Sequence, residues 1–147
     1  MRGQRGSTLL ELLTVLAVTG VLAAIAVPGA SAVRRTFAAS SAVDRLSLVL
    51  RSAQARAQSR CARVCVRVDA GGGFVVTDGG DGGPIVERGE LNAVVASNYA
   101  GMAVEFAPPG WPCLPGGVSP RAGRFLVAGG GNGREVVLQL GGCIRCE

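Results

Sequence analysis

From Leu12 to Val33 the chain runs for 22 residues without a charged side chain, and no other stretch restricts its folding as much. Wound as an α-helix at about 1.5 Å per residue, the run is long enough to cross the roughly 30 Å hydrocarbon core of a bilayer. A short basic leader, Met1 to Arg5, precedes it, followed by Gly6. One carboxylate, Glu11, sits at the edge of the apolar region. An isolated carboxylate among lipid tails is costly unless a partner answers it, so such a residue is read as functional and its partner must be cationic.

Two processing schemes fit this N-terminus. In an ordinary secretory signal peptide, Met1 to Arg5 is the n-region and Ala30-Ser31-Ala32 the small-residue cleavage site, giving a secreted protein. Against it, the apolar run exceeds the usual h-region of about 7–15 residues, and Glu11 lies within it. In the second scheme a peptidase cuts between Gly6 and Ser7. Glu11 then stands one helical turn from a new α-ammonium. In a stack of identical helices, Glu11 of one subunit pairs with the Ser7 ammonium of its neighbour. The pair neutralises both charges in an apolar core and sets the axial register.

The octet Gly6-Ser7-Thr8-Leu9-Leu10-Glu11-Leu12-Leu13 resembles the class III signal of type IV pilins and pseudopilins. Pro28 falls where many of those proteins carry a helix-bending proline. Ser7 departs from the phenylalanine usual at that place. The resemblance implies cleavage after Gly6 by a prepilin peptidase, methylation of Ser7, filament assembly through Glu11 and a helix kink at Pro28. It also implies a single-pass protein of the inner (cytoplasmic) membrane, its head in the periplasm or outside, which later enters an extracytoplasmic filament. Arg34 and Arg35 leave only a weak positive-inside bias, so this orientation rests on the resemblance.

The remaining chain is expected to form one head. All 15 basic residues are arginine, and lysine and histidine are absent. Without histidine the commonest general base and metal ligand is missing, which points away from an enzyme and from a bound cofactor or metal. Glycine is abundant at 23 and aromatics make up 4%, so the core must come from Val, Leu, Ile and Ala between tight turns. Leu46, Val49 or Leu50, Ala53 and Ala57 recur at helical spacing. One helix is therefore expected from Leu9 to about Arg60, with Arg56, Arg60 and Arg63 on a solvated face. Val64, Val66 and Val68 then alternate with Arg63, Cys65 and Arg67 as in a half-buried strand. Further strands are expected over Phe74–Thr77, Ile85–Leu91, Ala93–Ala96, Met102–Phe106, Phe125–Val127 and Glu135–Leu140. Asn132-Gly133 is a hairpin turn signal. Asp78-Gly79-Gly80-Asp81-Gly82-Gly83 reads as a flexible loop, since the ligand pattern of a calcium loop is incomplete. Ala107-Pro108-Pro109-Gly110-Trp111-Pro112-Cys113 reads as a rigid proline loop, expected to anchor Trp111 against the domain, with an exposed contact as the alternative.

The fold class is thus α+β, a long N-terminal helix whose first half spans the membrane, packed on an antiparallel β-sheet head. The expected divisions are a leader at 1–6, a transmembrane or filament-core helix at 7–33, and a head at 34–147. The head comprises an amphipathic helix over 34–60 and a β-domain over 62–147. Short carboxy-terminal motifs resemble the GspH/FimT minor pilins. They are Phe106-Ala107-Pro108-Pro109-Gly110, Gly123-Arg124-Phe125-Leu126-Val127, Arg134-Glu135-Val136-Val137-Leu138 and the terminal Gly141-x-x-x-Arg145. This implies a minor pilin or pseudopilin of a type IV pilus or type II secretion system, with assembly and partner recognition as its work. Its partners would be other pilin subunits, the prepilin peptidase and the inner-membrane assembly platform. The alternative is a DNA-binding minor pilin for natural transformation, using Arg145 with Arg121, Arg124 and Arg134. The net charge of +5 suits an anionic partner, but the aromatic supply for base stacking is poor.

Five cysteines, Cys61, Cys65, Cys113, Cys143 and Cys146, are disulfide candidates in an oxidising compartment, and their odd number leaves at least one thiol free or paired between chains. Cys143-x-x-Cys146 also has zinc-ligand spacing, with Cys61 and Cys65 as partners on one side of a helix. A redox role for the terminal pair is disfavoured because redox C-x-x-C motifs open a helix.

Overall fold

The computed structural model describes residues 9–128 and 133–147, with the side chains of residues 26–32 and Arg35 excepted. Gly6, Ser7 and Asn132 lie outside the described residues, as does the Pro28 side chain. The chain divides into two compact units, Met1–Arg34 and Arg35–Glu147. Helix α1 (Leu9–Arg60, 52 residues) contributes to both.

In the second unit α1 buries one stripe, Ala39, Ala42, Val43, Leu46, Val49, Leu50, Ala53 and Ala57. These positions recur at three and four residues, so a single face meets the core. No proline or glycine interrupts this half, and Arg60 in the last turn suits the negative end of the helix dipole. At Cys61 the backbone turns to φ 48°, and the helix stops.

Among the described residues nine strands follow, in two antiparallel sheets. They are β1 (Val64–Val68), β2 (Gly73–Asp78), β3 (Ile85–Glu90), β4 (Val95–Ser97), β5 (Ala103–Phe106), β6 (Pro112–Cys113), β7 (Gly123–Val127), β8 (Arg134–Leu138) and β9 (Ile144–Cys146). One sheet has the order β3-β2-β1-β5-β6 and the other β4-β7-β8-β9. Val64, Val66, Val68, Phe74, Val76, Val104 and Phe106 of the first sheet join Val95, Phe125, Val127, Val136, Leu138 and Ile144 of the second in one core with the α1 stripe. The period-two alternation of β1 and β7 is what turns these residues inward.

The β1–β2 hairpin shows local chemistry fixing register. Asp69 Oδ1 accepts from the Gly73 N–H at 2.9 Å, so the side chain at the start of the turn holds its far end. Gly72 takes φ 90°, and a Cβ there would lie 2.2 Å from the Ala93 carbonyl oxygen. Only glycine fits that approach. Val68 then falls opposite Phe74 and Val66 opposite Val76.

The terminal segment forms edge strand β9, and two expectations are corrected in detail. Cys65 lies on β1, not on a helix shared with Cys61, so those two thiols do not share a helix face. Arg56, Arg60 and Arg63 are not merely solvated. Arg60 Nη1 donates to Asp78 Oδ2 at 2.5 Å, Arg56 Nη1 lies 3.9 Å from the same oxygen, and Arg63 pairs with Glu105.

Candidate functional site

The candidate assembly surface is the first part of α1. From Leu9 to Ile25 every residue is exposed, including Leu9, Leu10, Leu13, Leu16, Leu22 and Ile25. A helix apolar on all sides needs an apolar surround on all sides. Its few hydroxyls are turned inward. Thr14 Oγ1 donates to the Glu11 carbonyl at 2.9 Å and Thr19 Oγ1 to the Val15 carbonyl at 2.6 Å. Each hydroxyl proton is satisfied within the helix, as a low-dielectric surround requires. Glu11 is the one acidic residue of the first turn, at the positive end of the helix dipole. Among the described residues no helix is long and apolar enough to cross a membrane. The expected span extends to Val33 and includes residues 26–32, whose side chains lie outside the description.

The structure brings only two of the four arginines of the nucleic-acid reading onto one row. Arg124 on β7, Val137 on β8 and Arg145 on β9 form one cross-strand row on the outer face of the four-stranded sheet. Glu135 stands in the next row, and Arg124 Nη1 donates to Glu135 Oε2 at 3.3 Å. A cavity of about 800 Å³ over this face is lined by Arg124, Glu135, Val137, Gln139 and Glu147. Its charge is mixed. Arg134 instead donates to Ser40 Oγ at 3.0 Å, and Arg121 lines a separate cavity with Leu114 and Leu140. The described arginines therefore form no continuous stripe for a phosphate backbone.

A polar cluster that sequence reasoning missed lies on the outer face of the five-stranded sheet. Register sets Thr77, Cys65, Glu105 and Cys113 in one row across β2, β1, β5 and β6. Glu105 is 1% exposed. Its Oε1 accepts from Arg63 Nη1, its Oε2 accepts from the Gly116 N–H at 3.2 Å, and Arg63 Nη1 also donates to the Gly117 carbonyl at 2.7 Å. The Glu105 hydrogen bond is the main reason the Arg63 pKa is raised. Beside it Arg67 holds both Asp81 oxygens at 2.7 and 2.8 Å, and Thr77 Oγ1 donates to the Gly80 carbonyl at 2.7 Å. Two loops, Gly79–Gly83 and Leu114–Gly117, are thereby pinned over the sheet. Alternation along the expected Met102–Phe106 strand puts Glu105 on the face away from the core, and nothing in that pattern marks the loops that cover it.

All five cysteines are free thiols, against the expectation of disulfides. Cys65 and Cys113 share a row but are separated by β5, so their Cα atoms stand about 9–10 Å apart, beyond the reach of about 7 Å for a disulfide. Cys143 and Cys146 are three residues apart along extended chain, about 10 Å, which also leaves the pair too far apart for shared zinc ligation. Burial pushes the Cys65 thiol up to about 12, with the Asp81 and Glu105 charges adding to it, and burial also raises Cys113. Both are unreactive at neutral pH. Among the described residues no three His, Cys, Asp or Glu side chains gather as metal ligands.

An all-round apolar helix start with one acid, ahead of a helix-and-sheet head, is the arrangement of a pilin-like fold. Residues 1–27 match the family model described as the prokaryotic N-terminal methylation motif. The fold is similar to that of the type IV minor pilin FimU of Pseudomonas aeruginosa strain PAO1, solved in two crystal forms. One aligns with a TM-score of 0.61 at 19% identity, covering 74% of this chain and 91% of that one. The other gives 0.59 at 20%, covering 74% and 87%. No curated protein matches the chain. The chain thus carries a prepilin-type methylation motif and the fold of a type IV minor pilin.

Proposed function

We propose that the chain is a minor pilin or pseudopilin subunit. It is cut between Gly6 and Ser7, methylated on Ser7, held in the inner membrane by residues 7–33, and drawn into a filament with the head, 34–147, on its outside. Its contribution is assembly and contact with other subunits, not catalysis. The observation that carries this reading is the exposure of α1 from Leu9 to Ile25 with a single acid, Glu11, in the first turn. Such a surface is stable only inside a bilayer or a bundle of like helices, and Glu11 is tolerated there when the Ser7 ammonium of an adjacent subunit faces it. The likeness in fold to a type IV minor pilin supports a pilin-type subunit, with a type IV pilus or a type II secretion pseudopilus as the host filament. The mixed charge around Arg124 and Arg145 does not favour DNA as a partner.

The test is Glu11→Gln in the native host. Sheared filaments should lose the variant while membranes retain it with a folded head. Equal amounts of parent and variant in the filament fraction would overturn the proposal.

A further inference from the structure

Three of the four sheet edges are closed by neighbouring groups. At β9 the Ile144 carbonyl accepts from Arg51 Nη2 of α1 at 3.3 Å. At β4 the Val95 N–H donates to the Ala70 carbonyl at 3.2 Å. At β6 Cys113 bridges to Pro120, and the Arg121 N–H donates to the Pro112 carbonyl at 2.7 Å. The fourth edge, β3, is different. The Leu91 N–H donates to the Gly72 carbonyl at 2.8 Å, and the alternation of an antiparallel ladder then turns the main-chain groups of Gly89 and Glu87 toward β2 and those of Arg88 and Glu90 outward. Among the described residues no group meets these outward donors and acceptors, and Glu87, Arg88 and Glu90 belong to no ion pair. β3 is exposed at every position but Gly89, which is half-buried. An edge with unpaired main-chain groups is a template for another strand, and charges along it turn away any partner strand that does not answer them.

The charges on β3 select both the occupant and the register. The outward-facing residues of two antiparallel strands must lie opposite each other for the ladder to form. Placing Arg88 opposite its own copy sets like charges together. Placing Val86 opposite Arg88 sets Glu87 against Glu87. Placing Arg88 opposite Glu90 of a second chain pairs opposite charges twice, once on each side of a two-fold axis through Gly89, and opposed cross-strand charges stabilise a sheet. The strand is therefore complementary to itself, as an isologous contact requires. We propose that β3 is a docking edge for β3 of a second copy of this chain, joining two five-stranded sheets through reciprocal Arg88–Glu90 pairs. The inference is independent of filament assembly through α1.

The experiment uses the full chain in detergent, with the exposed Cys61, Cys143 and Cys146 replaced by serine. Arg88→Cys and Glu90→Cys chains are oxidised separately and as a mixture. Directly opposed residues stand about 5.5 Å apart, within disulfide range, whereas the same residue in two copies lies about 7–8 Å apart on the diagonal. The mixture should give at least about ten times the cross-linked dimer of either chain alone. Arg88→Glu, on a separate cysteine-free edge, should weaken dimerisation about tenfold, and Arg88→Glu with Glu90→Arg should restore it. Equal cross-linking in all three samples would mean association through α1 or at random, and overturns the proposal. So does a double charge exchange that fails to restore the dimer.

Discussion

Replacing Arg63 with methionine should show that the loop over the five-stranded sheet is held by one buried charge. The Glu105 side chain is 2% exposed and that of Arg63 33%. Removing Arg63 leaves a buried carboxylate with the Gly116 N–H as its remaining described partner. Breaking a buried pair from one side costs about 3–5 kcal/mol. Because a third of Arg63 is in water, screening reduces this to about 2–3 kcal/mol. The head should then melt about 10 °C lower. The same substitution removes the bond from Arg63 Nη1 to the Gly117 carbonyl, so the Leu114–Gly117 loop should open more often. In a background with Cys61, Cys143 and Cys146 changed to serine, an alkylating reagent should label Cys113 about 30 to 100 times faster. Arg67→Met is the control. The Arg67–Asp81 pair is 48% and 43% exposed, so its loss should cost under about 1 kcal/mol. Equal effects of the two substitutions, or unchanged Cys113 labelling in Arg63→Met, would refute the reasoning.

Two further outcomes follow from the core. Leu46 is fully buried in the α1 stripe, so Leu46→Ala should lower head stability by about 2–5 kcal/mol in a denaturant titration, while the exposed Leu48→Ala should change it little. Burial raises the acid pKa values of Cys65 and Tyr99, so the folded head holds both protons more tightly than the unfolded chain. This stabilisation is complete below the ordinary thiol value of 9.0 and is lost as pH rises toward the folded values. Above pH 9 stability should fall by about 1.4 kcal/mol per pH unit for each group released, and Cys65→Ser should flatten the first part of that slope.

The parts of the fold legible in sequence were those set by local periodicity. The three-and-four spacing of Leu46, Leu50, Ala53 and Ala57 located the buried face of α1, and the alternation of Val64, Val66 and Val68 located β1. The charge-free run with Glu11 pointed to the proposed assembly segment for a reason that needs no tertiary structure: an acid in an apolar helix must find a partner. What sequence did not reveal depends on long-range register. Glu105 and Cys65 look solvent-facing from their alternation, and they are buried only because two glycine-containing loops fold back over their row. The pairing of Arg60 with Asp78 and the split into two sheets likewise arise from contacts between distant segments. The cysteine count invited disulfides, but the spacing between strands puts Cys65 and Cys113 out of reach of each other.

The central claim is that the chain begins its mature life at Ser7, so that a methylated ammonium can face the acid of a neighbouring helix. Intact-mass and N-terminal peptide measurement on protein extracted from the native membrane tests it most directly. A chain starting at Ser7 and carrying one added methyl group is the predicted result. A chain starting at Val33 would mark an ordinary secreted protein, and one retaining Met1 an unprocessed anchor; either would contradict the account.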